Sequence, residues 1–240
     1  MEPDAAVQEA QNAVLERLRT IRENIAAACK AAGRPEKGVT LMAVTKTVDP
    51  LLINTACDAG VKVLGENRVQ EFLSKRDAYR KDAEVQFIGH LQTNKVRQIV
   101  DKVSVIQSVD SLHLASEISK QAEKCGIIMP VLLEVNIGGE ESKSGVSPEE
   151  LPGLMEDVLR LPNVKLSGLM TIPPPEPDVA AQDAVFERMQ ALFEDMQKIC
   201  RMDTLSMGMS GDYASAVRHG ATIVRIGSAL FGARYYPPKN

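Results

Sequence analysis

Eight short apolar runs, each followed by a stretch with helical periodicity, constrain this chain more than any other feature. A strand covered on both faces reads as a near-continuous apolar run, and a helix laid over a sheet carries one apolar stripe. The runs occupy residues 41–47, 61–64, 85–88, 105–109, 130–136, 164–170, 204–207 and 223–226. Between them, helical patterns cover 48–59, a segment through Val69, Phe72 and Leu73, then 94–101, 112–125, 148–161, 179–200 and 212–219. Asn67 followed three residues later by Gln70 has the form of a capping box for the second of these. Such alternation, with short connections, predicts one parallel-stranded α/β domain.

Eight repeats favour a closed (β/α)8 barrel of the TIM type. An open, doubly wound sheet would ordinarily carry a glycine-rich fingerprint after its first strand, and none lies between Lys46 and Pro50. Ahead of the barrel, Val7, Val14, Leu18, Ile21 and Ile25 mark one face of a long extra helix, ended by Gly33-Arg34-Pro35. The expected organisation is a single domain over 1–240, with the N-terminal helix in 1–35, the barrel in 40–234 and a tail in 235–240.

Composition narrows the partners. A net charge of −4 argues against general affinity for nucleic acid or anionic membranes, and an aromatic content of 4% without tryptophan leaves few platforms for base stacking. No apolar run approaches the roughly 18 residues of a membrane span, and the acidic start Met1-Glu2-Pro3-Asp4 is unlike a secretory signal, so a cytoplasmic location is expected. Cys29, Cys57, Cys125 and Cys200 are widely spaced and suggest neither a metal site nor a disulfide framework.

The chemistry gathers at strand ends. Lys46 closes the first strand, Leu41 to Thr47, where a strongly hydrated ammonium is unusual unless it is paired or serves as an amine nucleophile. Snorkelling from the rim is the ordinary structural alternative. Barrels commonly hold phosphate in the loops after strands 7 and 8. After strand 7 stands Met207-Gly208-Met209-Ser210-Gly211-Asp212, and after strand 8 Gly227-Ser228, both with small residues, hydroxyls and a helix start. Plain helix capping by Ser210, Asp212 and Ser228 is the competing explanation. Closure of a barrel sets strand 1 beside strand 8, and Arg225 points from strand 8. An amine, a phosphate cradle and a guanidinium are the parts needed to hold pyridoxal 5′-phosphate by its aldehyde, phosphate and ring nitrogen. An arginine can only donate to that nitrogen, which leaves it unprotonated and the ring a weak electron sink. A rim salt bridge is the alternative role for Arg225.

Ala43-Val44-Thr45-Lys46-Thr47, Gly65-Glu66-Asn67, Phe87-Ile88-Gly89-His90-Leu91-Gln92 with Asn94-Lys95, Ser206-Met207-Gly208-Met209-Ser210 with Asp212, and Val224-Arg225-Ile226-Gly227 with Phe231-Gly232 occur in this order. In them the chain resembles the pyridoxal-phosphate homeostasis proteins, over Lys46 to Arg234. The resemblance implies the barrel of the alanine racemase N-terminal domain, binding of pyridoxal phosphate, a part in vitamin B6 balance and no established catalysis. It implies Lys46 as the Schiff-base lysine, Asn67 lining the ring pocket, Ser210, Gly211, Gly227 and Ser228 near the phosphate, and Arg225 at the ring nitrogen. Thr45 stands where the family more often has serine, and Val85-Gln86 where it often has Trp-His. No role passes to His90, while His113 and His219 read as surface or core residues. Lys143, in the loop after strand 5, is a solvated lysine or a transient cofactor contact.

Two further function classes stay open. A racemase-like enzyme dependent on pyridoxal phosphate needs a base on each face of the substrate, and Lys46 serves one; the late tyrosines Tyr235 and Tyr236 belong to a short tail. A class I aldolase would use Lys46 without a cofactor. The expectation is a binding protein, monomeric, with the small-molecule cofactor and apo-enzymes that accept it as partners.

Overall fold

The computed structural model describes residues 5–140, 144–174 and 178–232. Its centre is a closed barrel of eight parallel strands in sequence order: β1 Thr40–Val44, β2 Val63–Glu66, β3 Glu84–Phe87, β4 Val105–Val109, β5 Met129–Glu134, β6 Val164–Met170, β7 Thr204–Ser206 and β8 Ile223–Ile226. The barrel closes where β1 pairs β8 in the register Leu41↔Val224, Met42↔Arg225. The helices are α1 Ala5–Ala31, α2 Pro50–Asp58, α3 Val69–Lys75, α4 Val96–Ile99, α5 Leu112–Cys125, α6 Leu151–Leu159, α7 Val179–Met196, α8 Tyr213–Arg218 and α9 Ser228–Phe231.

The strand period of two splits the core into layers. Ala43, Leu64, Phe87, Ile106, Val224 and Ile226 pack outward with the helices, whereas Met42, Val44, Val63, Ile88 and Ile223 form a separate cluster inside the barrel. Gly65 makes room there, since a Cβ on it would lie 2.7 Å from Met42 Sδ and 2.9 Å from Ile88 Cδ1.

α1 turns Val14, Leu18, Ile21, Ile25, Ala28 and Cys29 inward and packs on α8, α2 and α9. Gly33, at φ 64, reverses the chain at its end. Arg34 then donates to the carbonyls of Val217, Gly220 (3.2 Å) and Ala221 (3.0 Å), which satisfies acceptors left over at the end of α8. No described helix is long and apolar enough to cross a membrane.

Several boundaries differ from expectation for local reasons. β1 stops at Val44, so Lys46 sits in the following turn. α2 starts at Pro50 because the Asp49 carboxylate accepts from Leu51 N–H and fixes the cap there. The expected capping box is absent: α3 is preceded by Arg68, which makes no side-chain cap, and Asn67 faces a cavity instead. The segment 94–101 is a short 3-10 turn, Thr93–Lys95, followed by the single turn of α4.

Candidate functional site

The turn that carries Lys46 is tied down from several sides. Thr45 is fully buried; its hydroxyl donates to Glu66 Oε1 (2.6 Å), and its N–H donates to Gly65 O (3.1 Å). Tyr79 OH donates to the same Glu66 oxygen, while Glu66 Oε2 is buried without a partner. Burial raises the Glu66 carboxyl above its ordinary range, against the hydrogen bonds from Thr45 and Tyr79. Thr47 has φ 62, a left-handed conformation that is strained for a β-branched residue by about 1–3 kcal/mol. Its N–H donates to Glu71 Oε1. Lys75 Nζ joins the same carboxylate (2.6 Å) and donates to Thr45 O (3.0 Å) and Val48 O (3.4 Å). Burial pushes the Glu71 carboxyl up, but the hydrogen bonds from Lys75 and Thr47 prevail and hold it below the usual range. Lys46 itself is half-buried and lines the cavity at the C-terminal ends of the strands.

That cavity has a volume of about 420 Å³, within the roughly 300–1,000 Å³ usual for small-molecule sites. Lys46, Asn67, Ser210, Gly211, Arg225, Gly227 and Ser228 all line it, together with Val44, Ile88, Ile172 and Met209. Nearly two hundred residues of chain therefore separate side chains that share one cleft, and closure of β1 onto β8 brings them together.

Backbone donors dominate one wall. Gly208, at φ 90, packs so closely that a Cβ would lie 2.5 Å from Ala216 Cβ, which lets the loop after β7 fold over α8. Ser210 does not cap that helix. Its hydroxyl oxygen accepts from Gly227 N–H (3.2 Å) and Ala229 N–H (3.1 Å), across at the start of α9. Asp212 precedes α8, yet its carboxylate makes no cap and instead accepts from Met209 N–H; burial raises its pKa. Among the described residues, the N–H groups of Ser210, Gly211 and Ser228 have no hydrogen-bond partner. Three unsatisfied donors beside a cavity form an anion-binding concavity.

Arg225 is not at the rim. It points into the barrel, 3% exposed, with Nη1 donating to Ser206 Oγ (2.7 Å) and Nη2 to Thr171 O (2.7 Å). Ser206 Oγ in turn donates to Gln107 Oε1 (2.7 Å), and Gln107 Nε2 to Gln86 Oε1 (2.6 Å), so a chain of buried amides and a hydroxyl crosses the barrel to the guanidinium. Burial lowers the Arg225 pKa to about 10 against the pull of Glu134 and Asp212, which still leaves it a cation and a pure donor at neutral pH. Glu134, buried at the end of β5, is raised to about 7 by burial and by Asp110, with Arg225 opposing.

Asn67 Oδ1 is buried against the cavity with no partner. A buried acceptor left unmade is destabilising by about 1–3 kcal/mol, and a ligand donor would relieve it. The residues present thus fit a ligand with an anionic group, an acceptor for Arg225 and a donor for Asn67, which are the features of a phosphorylated hydroxypyridine aldehyde.

Gln86, Gln107, Ser206 and Glu134 went unassigned in the sequence, although a signal was there: each is a polar residue inside a strand that must be buried. His90 stands 3.9 Å from Asp110 on an exposed side chain, His113 is exposed, and His219 lies 3.4 Å from Asp183, all away from the cavity lining. Lys143 and the tail with Tyr235 and Tyr236 lie outside the described residues.

Residues 17–235 match the family described as alanine racemase, N-terminal domain. A pyridoxal phosphate homeostasis protein of Aquifex aeolicus is 49% identical over 224 residues, covering 92% of this chain and 98% of that protein. Its counterpart in Pseudomonas aeruginosa is 45% identical over 228 residues, covering 91% and 98%. The structure of PipY from Synechococcus elongatus with pyridoxal phosphate bound superposes with a TM-score of 0.78 at 31% identity, covering 91% of this chain and all (100%) of that one.

Proposed function

This chain belongs to the family of pyridoxal phosphate homeostasis proteins, and from that premise we propose that it is a cytoplasmic, monomeric, single-domain carrier of pyridoxal 5′-phosphate. The observation that carries the reading is the shared cavity, in which the Lys46 side chain, three N–H groups without a partner among the described residues and the Arg225 guanidinium line one space of ligand size. Bound there, pyridoxal phosphate supplies an aldehyde that condenses reversibly with a primary amine, releasing water. Lys46 presents that amine. The N–H groups of Ser210, Gly211 and Ser228 and the two serine hydroxyls hold the phosphate, Gly227 lines the cradle beside them with its own N–H on Ser210 Oγ, and Arg225 donates to the ring nitrogen. Asn67 accepts from a ring substituent.

Two features favour capture and release over catalysis. Arg225 is held as a donor by its buried partners, so it cannot hand a proton to the ring nitrogen and the ring withdraws electrons weakly. Among the described residues lining the cavity, Lys46 presents the one primary amine, whereas racemisation needs a base on each face of the substrate. The product of the cycle is cofactor passed to apo-enzymes that use it.

Purified protein should absorb visible light, and borohydride should fix the cofactor on the peptide containing Lys46. Incubation with L- and D-alanine in deuterated water should give no α-hydrogen exchange at enzymatic rates, of the order of 1 per second or more. Fixation elsewhere would end the site assignment, and exchange at such rates would end the carrier reading.

A further inference from the structure

The strained turn after β1 has no explanation in the ligand contacts themselves. Thr47, β-branched and at φ 62, directly follows the lysine that lines the cavity. A left-handed β-branched residue persists only where its surroundings over-determine it. Here they do. Glu71 takes the Thr47 N–H, Lys75 is paired to Glu71 at 2.6 Å, and Lys75 also grips the carbonyls on both sides of the lysine, Thr45 O at 3.0 Å and Val48 O at 3.4 Å. The two side chains are only 14% and 20% exposed, so water competes weakly for them. Both stand on one face of α3, four residues apart, and neither lines the cavity.

We propose that Glu71 and Lys75 are positioning residues, a clamp that holds Thr47 left-handed and thereby aims the Lys46 amine into the cavity. The clamp works through the backbone. β1 fixes the chain up to Val44 and the Asp49 cap fixes it after Thr47, so relaxation of Thr47 to an extended or right-handed conformation has to be absorbed by the torsions of residues 45 and 46, which set the direction in which the Lys46 stem leaves the chain. Effective concentration of the amine over a bound aldehyde would fall accordingly. The inference rests on Lys46 being the amine that takes the cofactor.

The test compares wild type with Glu71→Ala, Glu71→Gln and the double variant Glu71→Ala/Thr47→Gly. Glycine adopts positive φ without a Cβ penalty and so needs no clamp. In cofactor-free protein, the Thr47 amide should exchange with solvent at least tenfold faster in Glu71→Ala than in wild type, with the melting transition still cooperative. Affinity for pyridoxal phosphate should fall about tenfold in Glu71→Ala and less in Glu71→Gln, whose amide oxygen can still accept from Thr47. Thr47→Gly should restore much of the loss.

Borohydride mapping separates the outcomes. If wild type carries the cofactor on Lys46 and Glu71→Ala binds it within twofold of wild type, the clamp is refuted and the site stands. A loss of affinity that Thr47→Gly leaves untouched refutes action through the turn. Wild type that is never labelled at Lys46 overturns both proposals.

Discussion

Glu134 offers a quantitative test of the barrel interior. Its carboxyl is 7% exposed, makes no hydrogen bond to another described side chain, and faces Asp110 and the Arg225 guanidinium. Burial first, and Asp110 second, raise it from 4.5 to about 7, with Arg225 pulling the other way. A carboxyl raised on folding is protonated in the native state while its unfolded counterpart has already ionised. Unfolding then releases a proton, and stability falls as pH rises from about 4.5 to about 7. At 1.36 kcal/mol per pH unit the full loss is roughly 3 kcal/mol, complete once the pH has passed the folded value. Glu134→Gln keeps the shape and cannot ionise. The two proteins should therefore be nearly equal in stability at about pH 4, diverge through pH 5 and 6, and differ by roughly 3 kcal/mol in favour of the Gln variant by about pH 8. Urea denaturation of cofactor-free protein at each pH, with m-values compared to verify that the same surface is exposed, gives the difference directly. Other raised carboxyls, Glu66 among them, titrate in both proteins and cancel. A stability difference independent of pH, or a Gln variant less stable at pH 8, would refute the assignment of a buried, neutral Glu134.

Ser210→Ala removes the hydroxyl that bridges Gly227 and Ala229 at the cavity. Loss of one charge-assisted hydrogen bond, about 1.5–3 kcal/mol, should weaken pyridoxal phosphate binding tenfold or more by fluorescence titration. Pyridoxal without its phosphate should bind far more weakly to wild type, and equal binding would contradict a phosphate cradle. Ser206→Ala takes an acceptor from the buried Arg225 and a donor from Gln107; a destabilisation of about 2 kcal/mol should lower the melting temperature by roughly 4–8 °C in calorimetry. An unchanged melting temperature would mean that Arg225 does not depend on Ser206.

The amino-acid sequence by itself determined the architecture and gathered most of the cavity. Eightfold alternation leaves few ways to cover every strand on both faces, and a closed barrel is one that leaves no edge. Lys46, Ser210, Gly211, Arg225, Gly227 and Ser228 were legible because each lies at or beside a strand end, where barrels place ligand contacts. Other features follow from which chain segments meet, and no local pattern reports that. Asn67 reads locally as a helix cap, yet packing of α3 against the barrel turns it to the cavity. Arg225 was legible as a strand-end cation, but not the network under it: the alternation of β8 directs it inward, where Ser206, Gln107 and Gln86 from three other strands form one hydrogen-bonded chain beneath it. The left-handed Thr47 is the sharpest case. Nothing in Thr45-Lys46-Thr47 calls for positive φ, and the reason lies in Glu71 and Lys75, two dozen or more residues away, whose hydrogen bonds outweigh the local preference of the chain.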